Sequence, residues 1–209
     1  MKKILAAATI ALATAIPVAH AGPFDSITGL GKSSGGDDVA ASQDKLVTDY
    51  ILASKIVLAS RGKMASALGL KTEAASLQAT ADGLSKDNLD KVNGALSPEA
   101  SKVINDAQAA HPVLDDASKK EYLEGLVGLA GGVVKYVSLK GSIESFANSM
   151  KSASPMMIPK LKTGLAIVKS LPTNAKSLAD TVKTALAFAK EQKIQVPNDV
   201  ASSTSVPFN

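Results

Sequence analysis

Side chains that commonly carry catalysis are scarce in this sequence. The chain has no cysteine, and its two histidines are His20 and His111. His111 precedes Pro112 at the predicted end of a helix, where an imidazolium favours the helix dipole. Neither the H-E-x-x-H pattern of zinc proteases nor the glycine-rich phosphate loop occurs. We therefore expect no catalytic residues, no bound cofactor and a protein that is not an enzyme.

Oxygen-bearing side chains crowd one region of the sequence, and they raise the question of a metal site. The region holds Asp82, Asp87, Asn88, Asp90 and Asn93. Their spacing does not match the D-x-D-x-D-G loop that wraps calcium, and a solvated helix face accounts for them better. We expect no metal site.

A run of glycines interrupts the most apolar stretch of the chain. Gly125, Gly128 and Gly132 are spaced i, i+3 and i+7, so a helix would place them on one face. Each interior glycine costs about 1 kcal/mol relative to alanine, so a compensating interaction is needed. We favour the close approach of a second helix. The alternatives are a groove that holds an apolar ligand and insertion into a membrane.

Two neighbouring methionines add to the alternative in which the glycines line a groove for an apolar ligand. Met156 and Met157 form an adaptable apolar cluster, of a kind that fills core gaps or lines promiscuous binding surfaces. If the glycine-bearing helix pairs with the helix that follows Met157, this cluster would lie near one end of the glycine groove. The candidate ligand-binding residues are therefore Gly125, Gly128, Gly132, Met156 and Met157.

The same apolar segments raise the question of whether the chain spans a membrane or inserts into one. A transmembrane helix needs roughly 20 apolar residues, whereas the charge-free run here is confined between Glu124 and Lys135. We expect no transmembrane span in the mature chain. Segments 123–139 and 156–171 are the candidates for a lipid pocket or an insertable hairpin.

The N-terminus predicts export. Lys2-Lys3 precedes an apolar stretch, and Ala19-His20-Ala21 places small residues where a signal peptidase cuts. Residues 1–21 are therefore interpreted as a signal peptide. An uncleaved anchor is the weaker alternative because the apolar stretch is short for a span. We expect a periplasmic or secreted protein, cleaved after Ala21.

Charge and composition narrow the expected partners. Removal of the signal lowers the net charge from +4 to +2, because that segment contains two lysines and no acidic residue. Arg61 is the only arginine, so no cluster of guanidinium groups can gather phosphates, and nucleic acid is not expected as a partner. Aromatic residues make up 3% of the chain, which argues against sugar-stacking platforms and membrane barrels.

Helix boundaries are marked by local signals. Gly69 is placed to cap the first long helix, and Ser97-Pro98 opens a later one. Ser118 and Glu121 form a capping box before the glycine run. The β-branched run from Val133 to Val137 keeps a strand as the alternative there.

Glycine and proline are expected to interrupt the later helices. Gly141 would break or bend the glycine-bearing helix. Pro159 fits the first turn of the next helix, which ends at Pro172. Thr173 or Asn174 would then cap a last helix.

These elements predict an all-α fold, a single antiparallel bundle of about five to seven helices. Residues 22–42 would form a flexible leader, residues 43–193 the bundle and residues 194–209 a flexible tail. We expect an exported, non-catalytic protein that acts by binding, or as a structural component, in the periplasm or outside the cell. A protein partner or self-association is the expected form of binding, and the carriage of an apolar ligand or lipid is the alternative.

Overall fold

The structure is a computed structural model that describes residues 34–202, with side-chain positions for residues 38–200. Its elements are α1 (Ser34–Ala67), α2 (Lys71–Gly83), a 3-10 helix (Lys86–Asn88), α3 (Asp90–Ala95), α4 (Pro98–Ala109), α5 (Asp116–Met150), a 3-10 helix (Pro155–Leu161), α6 (Lys162–Glu191) and α7 (Asn198–Ser202). No strand occurs within residues 34–202, so the all-α prediction is confirmed and the strand alternative is wrong. The predicted signal peptide and its cleavage site lie outside the described residues.

The long helices α1 and α5 form an antiparallel pair. The Ser142 hydroxyl donates to Asp49 Oδ2 at 2.7 Å, and the hydroxyls of Ser54 and Tyr136 share a hydrogen bond of 2.7 Å. Residue numbers therefore increase along α1 in the direction in which they decrease along α5. This pair forms the centre of the bundle.

Apolar side chains from α1, α5 and α6 fill the core. Tyr50 and Tyr136 meet edge to face, with 5.7 Å between their ring centroids. The largest fully buried side chains of α1 and α5 include Leu46, Tyr50, Leu58, Met64, Tyr122, Leu126, Leu129, Tyr136 and Phe146. Helix α6 adds Ile167, Leu178, Val182, Ala185 and Phe188. Burial of these apolar side chains makes the main favourable contribution to the free energy that holds the helices together.

Two predicted caps are confirmed. Gly69 has a φ of +79°, and the Leu70 amide donates to the Ala65 carbonyl at 2.9 Å, which closes the end of α1. The Ser97 hydroxyl accepts from the Ala100 amide at 3.2 Å and opens α4.

The predicted start of α5 is wrong by one turn. Asp115 is the N-cap, and its Oδ1 accepts from the Ser118 amide at 2.7 Å. Since Ser118 donates inside the first turn, it does not act as the first residue of a capping box. Gly141 does not break the helix, which continues to Met150.

Helix α6 does not end at Pro172 as predicted. It continues to Glu191, and Asn174 lies inside it as a buried residue rather than at a cap. Pro159 lies in a separate 3-10 helix that precedes α6. The free energy gained by packing the residues beyond Pro172 therefore outweighs the free energy lost because proline has no amide to donate a helical hydrogen bond.

Both predicted flexible ends contain ordered parts. Helix α1 begins at Ser34, inside the predicted leader, and Val39 is fully buried. In the predicted tail, Ile194 and Val196 pack against the core, and Val200 of α7 is buried. Burial of these apolar side chains offsets the entropy of ordering the chain.

Candidate functional site

The three glycines that share a face of α5 lie against α1. A Cβ added to Gly125 would stand 2.7 Å from Met64 Cγ and 2.8 Å from the Ser60 carbonyl oxygen. One added to Gly132 would stand 2.5 Å from Val57 Cγ2. Such distances are shorter than van der Waals contact, so the interpretation of these glycines as a close helix contact is confirmed.

A Cβ at Gly128 would overlap the Ser60 hydroxyl. The space that a ligand would occupy beside Gly125, Gly128 and Gly132 is therefore filled by atoms of α1. A ligand could reach these glycines only if α1 and α5 separated.

The methionine pair lies elsewhere on the bundle. Met156 is 86% exposed, whereas Met157 packs against the core. Their 3-10 helix is held by Gln43 of α1, whose Nε2 donates to the Lys160 carbonyl at 3.1 Å. Along α1, Gln43 is about 20 Å from Val57 at a rise of 1.5 Å per residue. Helices α5 and α6 do pack antiparallel, with Tyr122 against Phe188 and Phe146 against Gly164. The three glycines face α1 instead of α6, so this pairing does not bring the methionines to them.

A serine, a lysine and an aspartate meet between α1 and α5. Asp49 Oδ2 accepts from the Ser142 hydroxyl at 2.7 Å and from Lys45 Nζ at 2.6 Å. The hydrogen bond from Lys45 is the main cause that holds the pKa of Asp49 below its ordinary value. A carboxylate of lowered pKa is a weak general base, so this cluster links two helices rather than activating the serine.

A buried cluster of hydrogen-bonded polar side chains joins four helices, α1, α3, α5 and α6. The Asn174 Nδ2 donates to the Tyr50 hydroxyl at 3.2 Å and to Asn93 Oδ1 at 3.1 Å. On the other side of Tyr50, Tyr136 shares its hydroxyl hydrogen bond with Ser54. These contacts tie α3 and α6 to the α1–α5 pair, and a structural role accounts for them.

Arg61 is fully buried, although it is the only arginine of the chain. Its Nη1 donates to the Ala95 carbonyl at 2.7 Å, while Nε and Nη2 have no partner among the described residues. Burial lowers the pKa of Arg61 to about 10, with Glu73 opposing the shift, so the side chain stays cationic at neutral pH. Its position in the apolar stripe between Val57 and Met64 is the sequence signal that marks it as buried.

A polar cleft between α4 and α6 is the best candidate for a binding site. It has a volume of about 360 Å³, near the lower limit of ligand pockets. The residues that line it are Pro98, Ser101, Asn105, Thr173, Lys176, Ser177, Asp180 and Thr181. On α6, Thr173, Ser177 and Thr181 recur every fourth residue, which is the signal that sequence reasoning could have used.

One residue that lines this cleft, called here the α4–α6 cleft, has an unpartnered oxygen. Asn105 Oδ1 is buried and has no hydrogen-bond partner among the described residues. Ser101 and Thr181 beside it are 4% and 1% exposed. A buried acceptor without a donor costs free energy. Because this oxygen has almost no accessible surface, a ligand could donate to it only after neighbouring side chains moved.

The charged residues of the α4–α6 cleft lie on α6. Asp180 pairs with Lys183 at 3.8 Å, but both side chains are more than half exposed, so water weakens the pair. Lys176 has no hydrogen bond or ion pair among the described residues, although it lies one turn from Asp180. Both signs of charge are therefore available to a ligand.

No family model matches the chain, and neither the curated proteins nor the solved structures contain a match. Within the described part of the chain, no three His, Cys, Asp or Glu side chains are grouped so that they could hold a metal ion. By length and composition alone, one described helix, α5, could cross a membrane, and 44% of its most apolar part is buried inside the protein. The core helix of a bundle has the same properties.

Proposed function

We propose that the protein is an exported, non-catalytic helical bundle that acts by binding at its surface. The observation that carries this proposal is the α4–α6 cleft, a surface cleft of about 360 Å³ whose lining includes the exposed charges of Lys176 and Asp180. The contact of α1 with Gly125 and Gly132 supports a surface site over an internal one, because it fills the groove that an internal ligand would need.

Export is the part of the proposal that rests on the N-terminus. Fractionation of the cells that make the protein should place it in the periplasm or the medium, with Gly22 as its first residue. Substitution Ala21→Tyr should leave the precursor uncut, since the peptidase accepts small residues there. A full-length chain in the cytoplasm would contradict export.

Self-association is the form of protein binding that the purified chain can show alone. Sedimentation velocity at rising protein concentration should then give a defined oligomer. A monomer at every concentration would remove self-association and direct the search to other partners.

Membrane association is the second candidate function. The observation that favours it is a set of exposed apolar side chains in segments 123–139 and 156–171: Val127, Val134, Met156, Ile158 and Leu165. Flotation with anionic lipid vesicles tests this candidate. The double variant Met156→Ser/Ile158→Ser should lose co-flotation, whereas Val113→Ser, which removes a 93% exposed apolar side chain outside these segments, should keep it. If the unchanged protein does not float with lipid, this candidate fails.

A further inference from the structure

One side of the α1–α5 pair carries apolar side chains that face solvent. On α5, Val127 and Val134 are 41% and 51% exposed. Gly131 lies between them, and the three residues are spaced i, i+4 and i+7, so they share one face of the helix. On α1, Leu52 is 52% exposed and Ile56 is half-buried.

These residues of α1 and α5 form one continuous surface. Lys63 Nζ and Glu124 Oε2 form an ion pair of 3.0 Å between the two helices, and a Cβ added to Gly132 would stand 3.5 Å from Ile56 Cγ2. Leu52, Ile56 and Lys63 are spaced i, i+4 and i+11, so they lie on the same side of α1. We call this surface the α1–α5 face; it consists of Leu52, Ile56, Val127, Gly131 and Val134.

Gly131 is the residue of the α1–α5 face that contacts within the chain do not explain. Beyond the nearby backbone of its own helix, no atom lies within 4 Å of a Cβ added there. Glycine is a poor helix former, and it is favourable in a helix where another backbone must approach closely. Gly125 and Gly132 meet this condition against α1, whereas Gly131 would meet it only against a helix of another molecule.

The charges beside the α1–α5 face suit an antiparallel copy of α5. Glu124 and Lys135 are spaced i and i+11, so they lie on the same side of the helix. Lys135 forms no ion pair among the described residues, although its charge acts on Asp49. A two-fold axis beside Gly131 would bring Glu124 of each copy toward Lys135 of the other.

We propose that a second copy of this chain docks on the α1–α5 face, with the two α5 helices antiparallel and in contact at Gly131. This inference rests on the proposed function, because it names the partner in self-association. In this arrangement Val127 of one copy packs against Val134 of the other, and two pairs of opposite charges flank the apolar centre.

The size of the α1–α5 face sets the expected affinity. Between Lys45, which lies 3.5 Å from Ser142, and Lys63, the helix pair is about 27 Å long at a rise of 1.5 Å per residue. Two packed helices are about 20 Å wide, so two copies would bury about 1,000 Å² in total. That area is near the lower limit for a specific interface, so we expect a weak dimer with a micromolar dissociation constant.

Sedimentation velocity of the purified protein at rising concentration tests the dimer. Gly131→Glu places two carboxylates at the axis and should raise the dissociation constant at least about tenfold. Gly94→Glu is the matched control, because Gly94 of α3 also has no atom within 4 Å of an added Cβ. It should leave the constant unchanged. Both variants should stay folded, since glutamate is a better helix former than glycine. A dimer that Gly131→Glu does not weaken would overturn the proposal.

An exchange of charges tests the antiparallel orientation. Glu124→Lys and Lys135→Glu should each weaken self-association several fold, because each dimer then brings like charges together. A mixture of the two variants should associate more tightly than either alone, since each new side chain then meets an opposite charge. No gain in the mixture would contradict the orientation.

Other occupants of the α1–α5 face give different results. A monomer at every concentration would overturn the dimer, and a different partner found on the protein from its own cells would leave the proposed binding function standing. Flotation of that monomer with vesicles of phosphatidylcholine and phosphatidylglycerol, lost in Gly131→Glu but kept in Gly94→Glu, would make the face a lipid-binding surface instead.

Discussion

At the scale of single residues, the glycines of α5 differ in what surrounds them. Gly125 faces the backbone of α1, where Ser60 O and Met64 N leave no room for a methyl group. Gly131, in the same helix, has no atom within 4 Å of an added Cβ. The two positions therefore allow helix propensity to be separated from packing.

Substitution of these glycines by alanine should have opposite effects. Gly125→Ala should lower the free energy of unfolding by about 1–3 kcal/mol, because a packed backbone cannot move away cheaply. Gly131→Ala should raise it by about 0.5–1 kcal/mol, since alanine has the higher helix propensity. Urea unfolding followed by circular dichroism measures both. Equal effects at the two positions would contradict the close contact.

Lys193 adopts a backbone conformation that normally belongs to glycine. Its φ is +57°, and the Ile194 amide donates to the Ala189 carbonyl at 2.9 Å to close α6. Lys193→Gly should raise the free energy of unfolding by about 0.5–1 kcal/mol by relieving this strain. Lys190→Gly, inside the last turn, should lower it by about 1 kcal/mol. A loss of stability in Lys193→Gly would show that the lysine side chain holds the turn.

At the scale of elements, Pro172 is the least expected feature of the fold. It is exposed within α6 and has no amide, so the Val168 carbonyl lacks its usual helical donor. Pro172→Ala should raise the free energy of unfolding by on the order of 1–3 kcal/mol. Lys169→Ala, another exposed change in α6, should alter it by less than about 0.5 kcal/mol. A fall in stability would mean that Pro172 sets the path of α6 toward the contact between Asn174 and Tyr50.

Some boundaries of these elements can be predicted from sequence and others cannot. Gly69 and Ser97 act through residues close by in the chain, so their caps are predictable. The passage of α6 through Pro172 and the start of α1 at Ser34 depend on burial against distant helices, which overrides local propensity. The spacing of Thr173, Ser177 and Thr181 marks one wall of the α4–α6 cleft, but the cleft itself could not be predicted, because it depends on how α4 packs against α6.

At the scale of the whole molecule, all three tyrosines are buried in the core. Burial raises the pKa of Tyr50, Tyr122 and Tyr136 above the ordinary value of 10.0, because the phenolate is poorly solvated there. A group whose pKa is higher in the folded state stabilises fully below its unfolded pKa, and that stabilisation is lost as the pH rises. The fold therefore weakens above about pH 10.

Alkaline titration measures this coupling. Phenolate absorbance and loss of helical circular dichroism should occur in one transition above pH 10, because the tyrosines ionise only on unfolding. The absence of tryptophan leaves the tyrosine signal free of overlap. Ionisation of the tyrosines near pH 10 with the helices intact would contradict the burial of these rings.

Native mass spectrometry of the protein purified gently from its own cells tests the central claim most directly. The account predicts a chain that begins at Gly22 and carries either a discrete added mass or a defined number of copies, both lost on denaturation. A full-length chain that is always a bare monomer would contradict both the export and the binding function.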